Sequence, residues 1–447
     1  EVAAQKFEVE ELGASLCDVN GEAGVEVNYL GKPTKFSATQ LLAMYLGHLR
    51  DIAKNNNVAD MSDVVISVPG WFTDRQRRAV LQASKIANLN CLRLINDNAA
   101  AALGYGITKT DLPEDKPRNV VFADMGHSSF SVAVVSFKRG EMKIRSAAYA
   151  PDCGGRNFDR VLVDHFIKHF NEKYNINIQS KPKAVIRLRA ACEKLKKVLS
   201  ANSKAPFNVE NLMNDIDASA MMERDEFEEL IKDTLDKMRK PIEDAIAASG
   251  IKIDDIHSIE AVGGSIRVPA VKRKLAEFFG RDLSYTLNQD EAVARGCALQ
   301  CAILSPSFRV REFNVNDVSA YPIKFQWEPT GDTGPNDTSL GVFSEFSSIP
   351  STKLLTFYRK EPFTVETLYS NPQKLPPGTN SWISRFDVKD VKPDSNGDLT
   401  TVKVKARLDI HGILNITGAY VVEEVEVEEP VPTPSGEQKP TTPAPEG

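Results

Sequence analysis

The chain has 447 residues, 55 Lys plus Arg against 61 Asp plus Glu, a formal charge of -6 and 42% hydrophobic residues. At roughly 150 residues per domain the length suggests about three domains. The acidic balance argues against nucleic acid as the main partner, and no apolar run approaches the ~20 residues of a membrane-spanning helix. Six scattered cysteines without a CxxC pair read as free thiols in a reducing compartment, which predicts a cytoplasmic protein.

In chain order, Phe36 to Leu49 reads as an amphipathic helix capped by Ser37 or Thr39. Asp63 to Pro69 is a buried strand, Asp74 to Ile86 a helix, and Cys91 to Asp97 a strand that ends in a carboxylate before the Ala-rich helix Ala99 to Leu103. This alternation predicts an α/β domain with functional residues at strand ends. Asn119 to Asp124, the turn Met125 to Ser129, and Phe130 to Phe137 read as strand, turn and strand, and Met142 to Ala148 as a third strand. Helical patterns follow over Phe158 to Tyr174, Ala184 to Ser200 and Glu223 to Ala248, with a short hairpin over Phe207 to Ile216. The strand Ile256 to Val262 meets a Gly263-Gly264-Ser265 turn before the helix Pro269 to Phe279, and Asn288 to Ala302 is the last helix of this half. Residues 306–317 lack periodicity and read as a linker between a first domain, 1–305, and a second, 318–427. The second domain switches to period two, as in Val402, Val404, Ala406 and Leu408, and predicts an antiparallel β-sandwich of seven or eight strands. Residues 428–447, acidic and rich in proline, cannot build a core and are expected to be disordered.

Five places carry candidate chemistry. Gly126, His127 and Ser128 follow Asp124 in a turn whose backbone N–H groups can cradle phosphate oxygens, with the carboxylate able to hold hydrated Mg²⁺; the same turn is equally a plain hairpin. Gly263, Gly264, Ser265 and Arg267 permit close backbone approach to a flat or phosphorylated ligand, or form a tight strand-to-helix turn. Gly154 and Gly155 make a weaker glycine turn. Asp97 either faces Asp124 across a cleft or caps its own helix. Glu193, Lys196, Lys197 and Ser200, at i, i+3, i+4 and i+7, share one helix face, which by periodicity alone is a solvated stripe. His165 and His169, one turn apart without a third ligand, read as surface histidines.

Taken in order, Leu94 to Gly106, Phe122 to Ser129, Cys192 to Ser200, Val262 to Arg267 and Asn288 to Gly296 resemble the motifs of the actin-like (ribonuclease H-like) ATPase domain of the heat shock protein 70 superfamily. The resemblance covers the chain from its start to about Leu304 and continues into the β-sandwich. It implies that Asp124 and Asp97 are catalytic, with Asp124 also at the metal. It further implies that Gly126, His127, Ser128, Gly154, Gly155, Glu193, Lys196, Lys197, Ser200, Gly263, Gly264, Ser265, Arg267 and Asp290 contact ATP. Gly126-His127-Ser128-Ser129 in place of the usual glycines and threonine, Asp97-Asn98 in place of Glu-Pro, and the linker Ser305 to Arg311 resemble the heat shock protein 110 class, especially its fungal forms. The family's first phosphate loop, its phosphate-contacting lysine and its C-terminal helical domain have no counterpart here, so the chain reads as truncated and one wall of the ATP site as missing.

This resemblance implies an ATP-binding cochaperone with weak ATPase activity at most. It would release nucleotide from a partner heat shock protein 70 and hold unfolded polypeptides. The runner-up is an autonomous ATP-driven folding chaperone. A metabolic kinase of the same fold has no use for the sandwich, and a purely polypeptide-holding module has no need of turnover.

Overall fold

The computed structural model describes residues 13–56, 62–329, 338–394 and 396–422. It opens with a three-stranded antiparallel meander, β1 (Ser15–Val19), β2 (Glu22–Tyr29) and β3 (Lys32–Ser37). Helix α1 (Ala38–Asn56) starts where Ser37 and Gln40 cap one another. The Gln40 amide N–H donates to Ser37 Oγ at 3.2 Å and the Ser37 N–H to Gln40 Oε1 at 2.9 Å. Strands β4 (Asp63–Val68) and β5 (Asn90–Asn96) pair in parallel around the crossover helix α2 (Asp74–Ile86). The buried helix α3 (Asp97–Gly106) then starts at the end of β5.

A six-stranded sheet follows, in the order β11-β6-β7-β8-β12-β15. Strands β6 (Arg118–Met125), β7 (Phe130–Lys138) and β8 (Glu141–Ala150) are antiparallel, and β11 (Ile256–Val262) lies parallel to β6. Both faces of β6 and β7 are buried, so their side chains separate by parity into two cores. Val121, Ala123, Val132 and Val134 pack with α4 (Gly155–Tyr174), α5 (Pro182–Ala201) and the elements after them. Val120, Phe122, Ala133 and Val135 pack with α3. Strands β9 (Lys204–Met213) and β10 (Ile216–Glu223) form a hairpin that reaches well past the expected 207–216. The helix expected over Glu223–Ala248 is three pieces, α6 (Arg224–Leu230), α7 (Lys232–Asp236) and α8 (Arg239–Ser249). Phe227, Ile231, Leu235, Met238 and Ile242, spaced by three and four residues, still reach one core across the breaks.

Helix α9 (Pro269–Phe279) and helix α10 (Ala292–Leu304) complete this half. Helices α10 and α3 cross closely: a Cβ on Gly296 would collide with the Ala100 carbonyl, so glycine is required there. The linker expectation for 306–317 needs correction, because β12 (Asn314–Val318) is a strand of the central sheet, parallel to β8. Val315 and Phe313 are buried in the α3 core, and that apolar pull outweighs the absence of a visible period.

Beyond it, two antiparallel sheets contribute to one apolar cluster that includes Phe325, Phe357, Val365 and Val404. One sheet is β14 (Ser339–Phe343), β13 (Ile323–Trp327), β17 (Phe363–Tyr369) and β18 (Trp382–Val388). The other is β16 (Ser351–Arg359), β19 (Thr400–Leu408) and β20 (Leu414–Val422). The short β15 (Ser348–Ile349) leaves this unit to pair with β12, so the central sheet runs across the expected boundary at 317. Polar contacts tighten the seam. Asn96 donates from its backbone and side chain to Asp317, each at 2.9 Å. Asp74 accepts from the Leu414 N–H at 2.9 Å, and the Tyr321 hydroxyl donates to the Trp71 carbonyl at 2.9 Å. The acidic segment 428–447 lies outside the described residues.

Candidate functional site

Asp124 sits on the next-to-last position of β6 and Asp97 on the first position of α3, directly after β5. The two strands therefore deliver both carboxylates to one cavity of about 180 Å³. Its wall also holds Gly126, His127, Ser128 and Ser129 of the β6–β7 turn, Ser131, Tyr149, and Pro69-Gly70-Trp71 from the end of β4. The turn is closed by the Gly126 N–H donating to the Ser129 carbonyl at 3.1 Å. His127 and Ser128 are exposed at its tip. Asp97 is not an N-cap; that place belongs to Asn96, and the Asp97 carboxylate is left to face the cavity.

Burial governs the electrostatics. It pushes the Asp97 carboxyl up to about 6, offset in part by a hydrogen bond from Ser67 and by the Arg77 charge. Burial, and then the neighbouring Asp97 charge, pushes Asp124 up to about 7. Two carboxylates held this way without a cation between them attract one. Oxygen donors of this kind suit Mg²⁺ rather than zinc or copper.

The remaining glycine turns assemble behind the Asp124 turn. Gly155 N–H donates to the Gly126 carbonyl at 3.0 Å, Arg156 N–H to the His127 carbonyl at 2.8 Å, and the Ser265 hydroxyl to the Gly126 carbonyl at 2.9 Å. Gly263 has φ +90°, and a Cβ there would strike the Met125 carbonyl and the Asp124 carboxylate. Glycine at this position thus lets β11 end against the acid. Gly264 stands beside Asp290, whose carboxylate takes both Arg267 guanidinium nitrogens, at 2.9 and 2.7 Å, on an exposed rim.

The α5 stripe divides. Lys196 is buried, donating to Asp159 at 2.8 Å and to the Gly155 carbonyl at 3.2 Å, which ties α5 to the start of α4. Glu193 and Lys197 pair with each other at 2.6 Å on the exposed face, and Ser200 Oγ donates back to the Lys196 carbonyl. The geometry therefore gathers Asp97, Asp124, Gly126, His127 and Ser128 around the cavity. Gly154, Gly155, Gly263 and Ser265 support it, and Lys196 braces that support. Glu193, Lys197, Ser200, Gly264, Arg267 and Asp290 are not among the cavity's lining residues.

Tyr149, Asp159 and the Pro69-Gly70-Trp71 turn escaped the sequence reading. The turn follows a buried strand, and ligands in open α/β sheets gather beyond the carboxyl ends of strands, so it was findable. Tyr149 gives no such signal, because nothing local distinguishes it from a core aromatic.

The Hsp70 protein family matches residues 4–442. Heat shock protein hsp88 of Neurospora crassa is 52% identical over 429 residues, covering 95% of this chain and 61% of that protein. Human Heat shock 70 kDa protein 4 is 48% identical over 419 residues, covering 92% of this chain and 50% of its own length. The chain thus spans roughly half to three fifths of the length of these relatives. With a match over nearly all its residues, and a cleft in which two strand-end carboxylates meet three glycine turns, the chain belongs to the Hsp70 protein family.

Proposed function

We propose that this chain is the nucleotide-binding and β-sheet portion of a heat shock protein 110-class chaperone, an ATP-dependent nucleotide exchange factor for a partner heat shock protein 70. The observation that carries the nucleotide part is the convergence of Asp97, Asp124 and the Gly126–Ser129 turn on one cavity. At about 180 Å³ it is smaller than the ~300 Å³ and above of sites that bury a whole small molecule, so it suits the phosphate end of ATP. The adenosine would lie along the rim formed by Gly264, Arg267 and Asp290 and the exposed face of α5, with Glu193, Lys197 and Ser200. Asp124 would hold Mg²⁺. Among the described residues no group of three or more His, Cys, Asp or Glu converges, so water and phosphate oxygens would complete the shell. Bound Mg²⁺ would offset phosphate charge. Asp97 and Asp124 would orient an attacking water, and Asp97, in a position where the longer glutamate is usual, favours binding over turnover.

The β-sheet unit, 318–427 as the second domain, is fastened to the first through residues 306–317, which supports a rigid body acting on a partner. A second cavity, of about 740 Å³, lies between Trp327, Phe363 and Leu399 and the charged Arg359, Glu361 and Arg385. Its mixed lining supports a polypeptide-holding role, and a cytoplasmic site of action fits free thiols at all six cysteines. The test is release of labelled ADP from a heat shock protein 70 with this chain added, with and without ATP. Release accelerated only with ATP is expected. ATP binding without any acceleration would leave the holding role as the better account.

A further inference from the structure

We propose that His411 is a proton-sensitive latch: with its ring neutral it fastens the β-sheet unit to β5 and α2, and on protonation it releases the seam. The inference is independent of any ligand in the cleft. His411 lies in the β19–β20 turn, where Asp409 accepts from the His411 and Ile413 N–H groups at 2.8 and 3.0 Å and so fixes the turn's shape. That turn lands on the other half of the molecule. The Leu94 N–H of β5 donates to His411 Nδ1 at 3.1 Å, Arg77 of α2 donates to the His411 carbonyl at 3.2 Å, and Arg78 donates to the Leu414 carbonyl at 2.8 Å. An Nδ1 that accepts a backbone N–H carries no proton itself. Protonating it turns the acceptor into a donor facing the Leu94 N–H donor.

The surroundings make that event costly. The charges acting on the ring are Arg77 and Lys85 of α2 and Arg93 of β5; among the described residues, Asp409 on its own turn opposes them. Arg93 is buried, with Nη1 bonded to Gln300 at 3.1 Å and Nε and Nη2 without a partner among the described residues. A second cation beside an under-satisfied guanidinium is strongly disfavoured. Burial first, then these cations, hold the docked imidazole below its ordinary value, against the pull of Asp409.

The sign follows by linkage. Undocked, the ring titrates near 6.5. Above that value both arrangements are neutral and docking has full strength. As pH falls below it, the undocked arrangement takes up the proton first, so acid favours release until the docked ring also titrates. Each unit of difference is worth a factor of ten in the docking equilibrium.

Hydrogen exchange at the Leu94 and Leu414 amides of the full chain, corrected for the intrinsic effect of pH, reads the seam directly. Opening is expected to rise between about pH 7.5 and pH 5.5, by up to about tenfold, the proton uptake of an undocked ring titrating near 6.5. His411→Asn, whose Oδ1 replaces Nδ1 as acceptor but does not titrate, should remove that rise. His411→Lys should leave the seam open throughout. Protection of the Val121 amide in the central sheet checks that each variant is folded. Equal pH dependence in His411→Asn and the unchanged chain overturns the proposal and assigns release to the seam carboxylates. If His411→Asn loses the Val121 protection, an NMR titration of the His411 ring in the unchanged chain decides, and a value at or above 6.5 overturns the proposal.

Discussion

Asp124 is kept at a cost to the fold. Its carboxyl, near 7 in the folded chain against 3.8 when free, binds protons more tightly folded than unfolded. The group's penalty is therefore absent below pH 3.8, grows as pH rises through the free value, and is complete above about 7. Asp124→Asn should stabilise the chain by about 2–4 kcal/mol at pH 8 and by little near pH 4, the span of a shift of about three units. Denaturant titrations at the two pH values test this; a gain that does not grow with pH would mean the carboxylate is already compensated. Mg²⁺ should raise the melting temperature of the unchanged chain and not of Asp124→Asn. Lys196 tests the opposite case. With Asp159 it forms a buried pair that shows 9% and 7% side-chain exposure, so Lys196→Met strands a carboxylate and should cost about 3–5 kcal/mol. The double variant Lys196→Met with Asp159→Leu should recover most of that loss.

At the scale of elements, the strands and helices with strong periods could be read before the structure was known. Asp74–Ile86 is helical over the expected residues, because Thr73 and Gln76 cap it and Ile86 meets a turn. Asp97 and Asp124 were recognisable as a pair because both stand at strand ends, a property that sequence order exposes. The meander β1–β3 was overlooked: Val25, Val27 and Tyr29 of β2 alternate with Glu26 and Asn28, but the run is short and most of the meander's residues are exposed or half-buried, so it marks no core. Strand β12 escaped because its burial comes from packing against α3 and β8, far away in sequence. The α5 stripe shows the same limit. Spacing placed Lys196 and Lys197 together, yet one is buried against Asp159 and the other is exposed, which only the position of α4 decides. The α3–α10 crossing yields a prediction at this scale. Gly296→Val drives a branched side chain into the Ala100 backbone and should cost at least about 2–3 kcal/mol, with α3 displaced. Melting curves measure the loss. If the displacement reaches Asp97, ATP affinity should fall too.

At the scale of the molecule, the central sheet is what turns two cores into one cooperative body. Strands β12 and β15 carry its hydrogen bonding from the first half into the β-sheet unit, and Asp317 at their junction holds Asn96 through two further bonds while accepting the Val318 N–H. Unfolding one half must therefore break the edge of the other and strand buried donors on Asn96. Such coupling predicts a single calorimetric transition for the chain. Asp317→Ala removes the acceptor of the Asn96 backbone N–H and one of the two acceptors of its side-chain amide, the Val318 carbonyl remaining at 2.8 Å; it leaves the strands themselves intact and should split the melt into two transitions, the β-sheet unit and the first half separating by several degrees. A single transition, merely shifted downward, would show that the remaining seam bonds and the apolar contacts of Phe313 and Val315 suffice to couple the halves. The same variant links stability to action. Under the proposed exchange role, a body that must stay rigid to open its partner's nucleotide site should lose that activity when its seam is uncoupled, even though Asp97, Asp124 and the Gly126 turn remain in place. Measured ATP affinity close to that of the unchanged chain, together with lost acceleration of ADP release, is the expected outcome for Asp317→Ala.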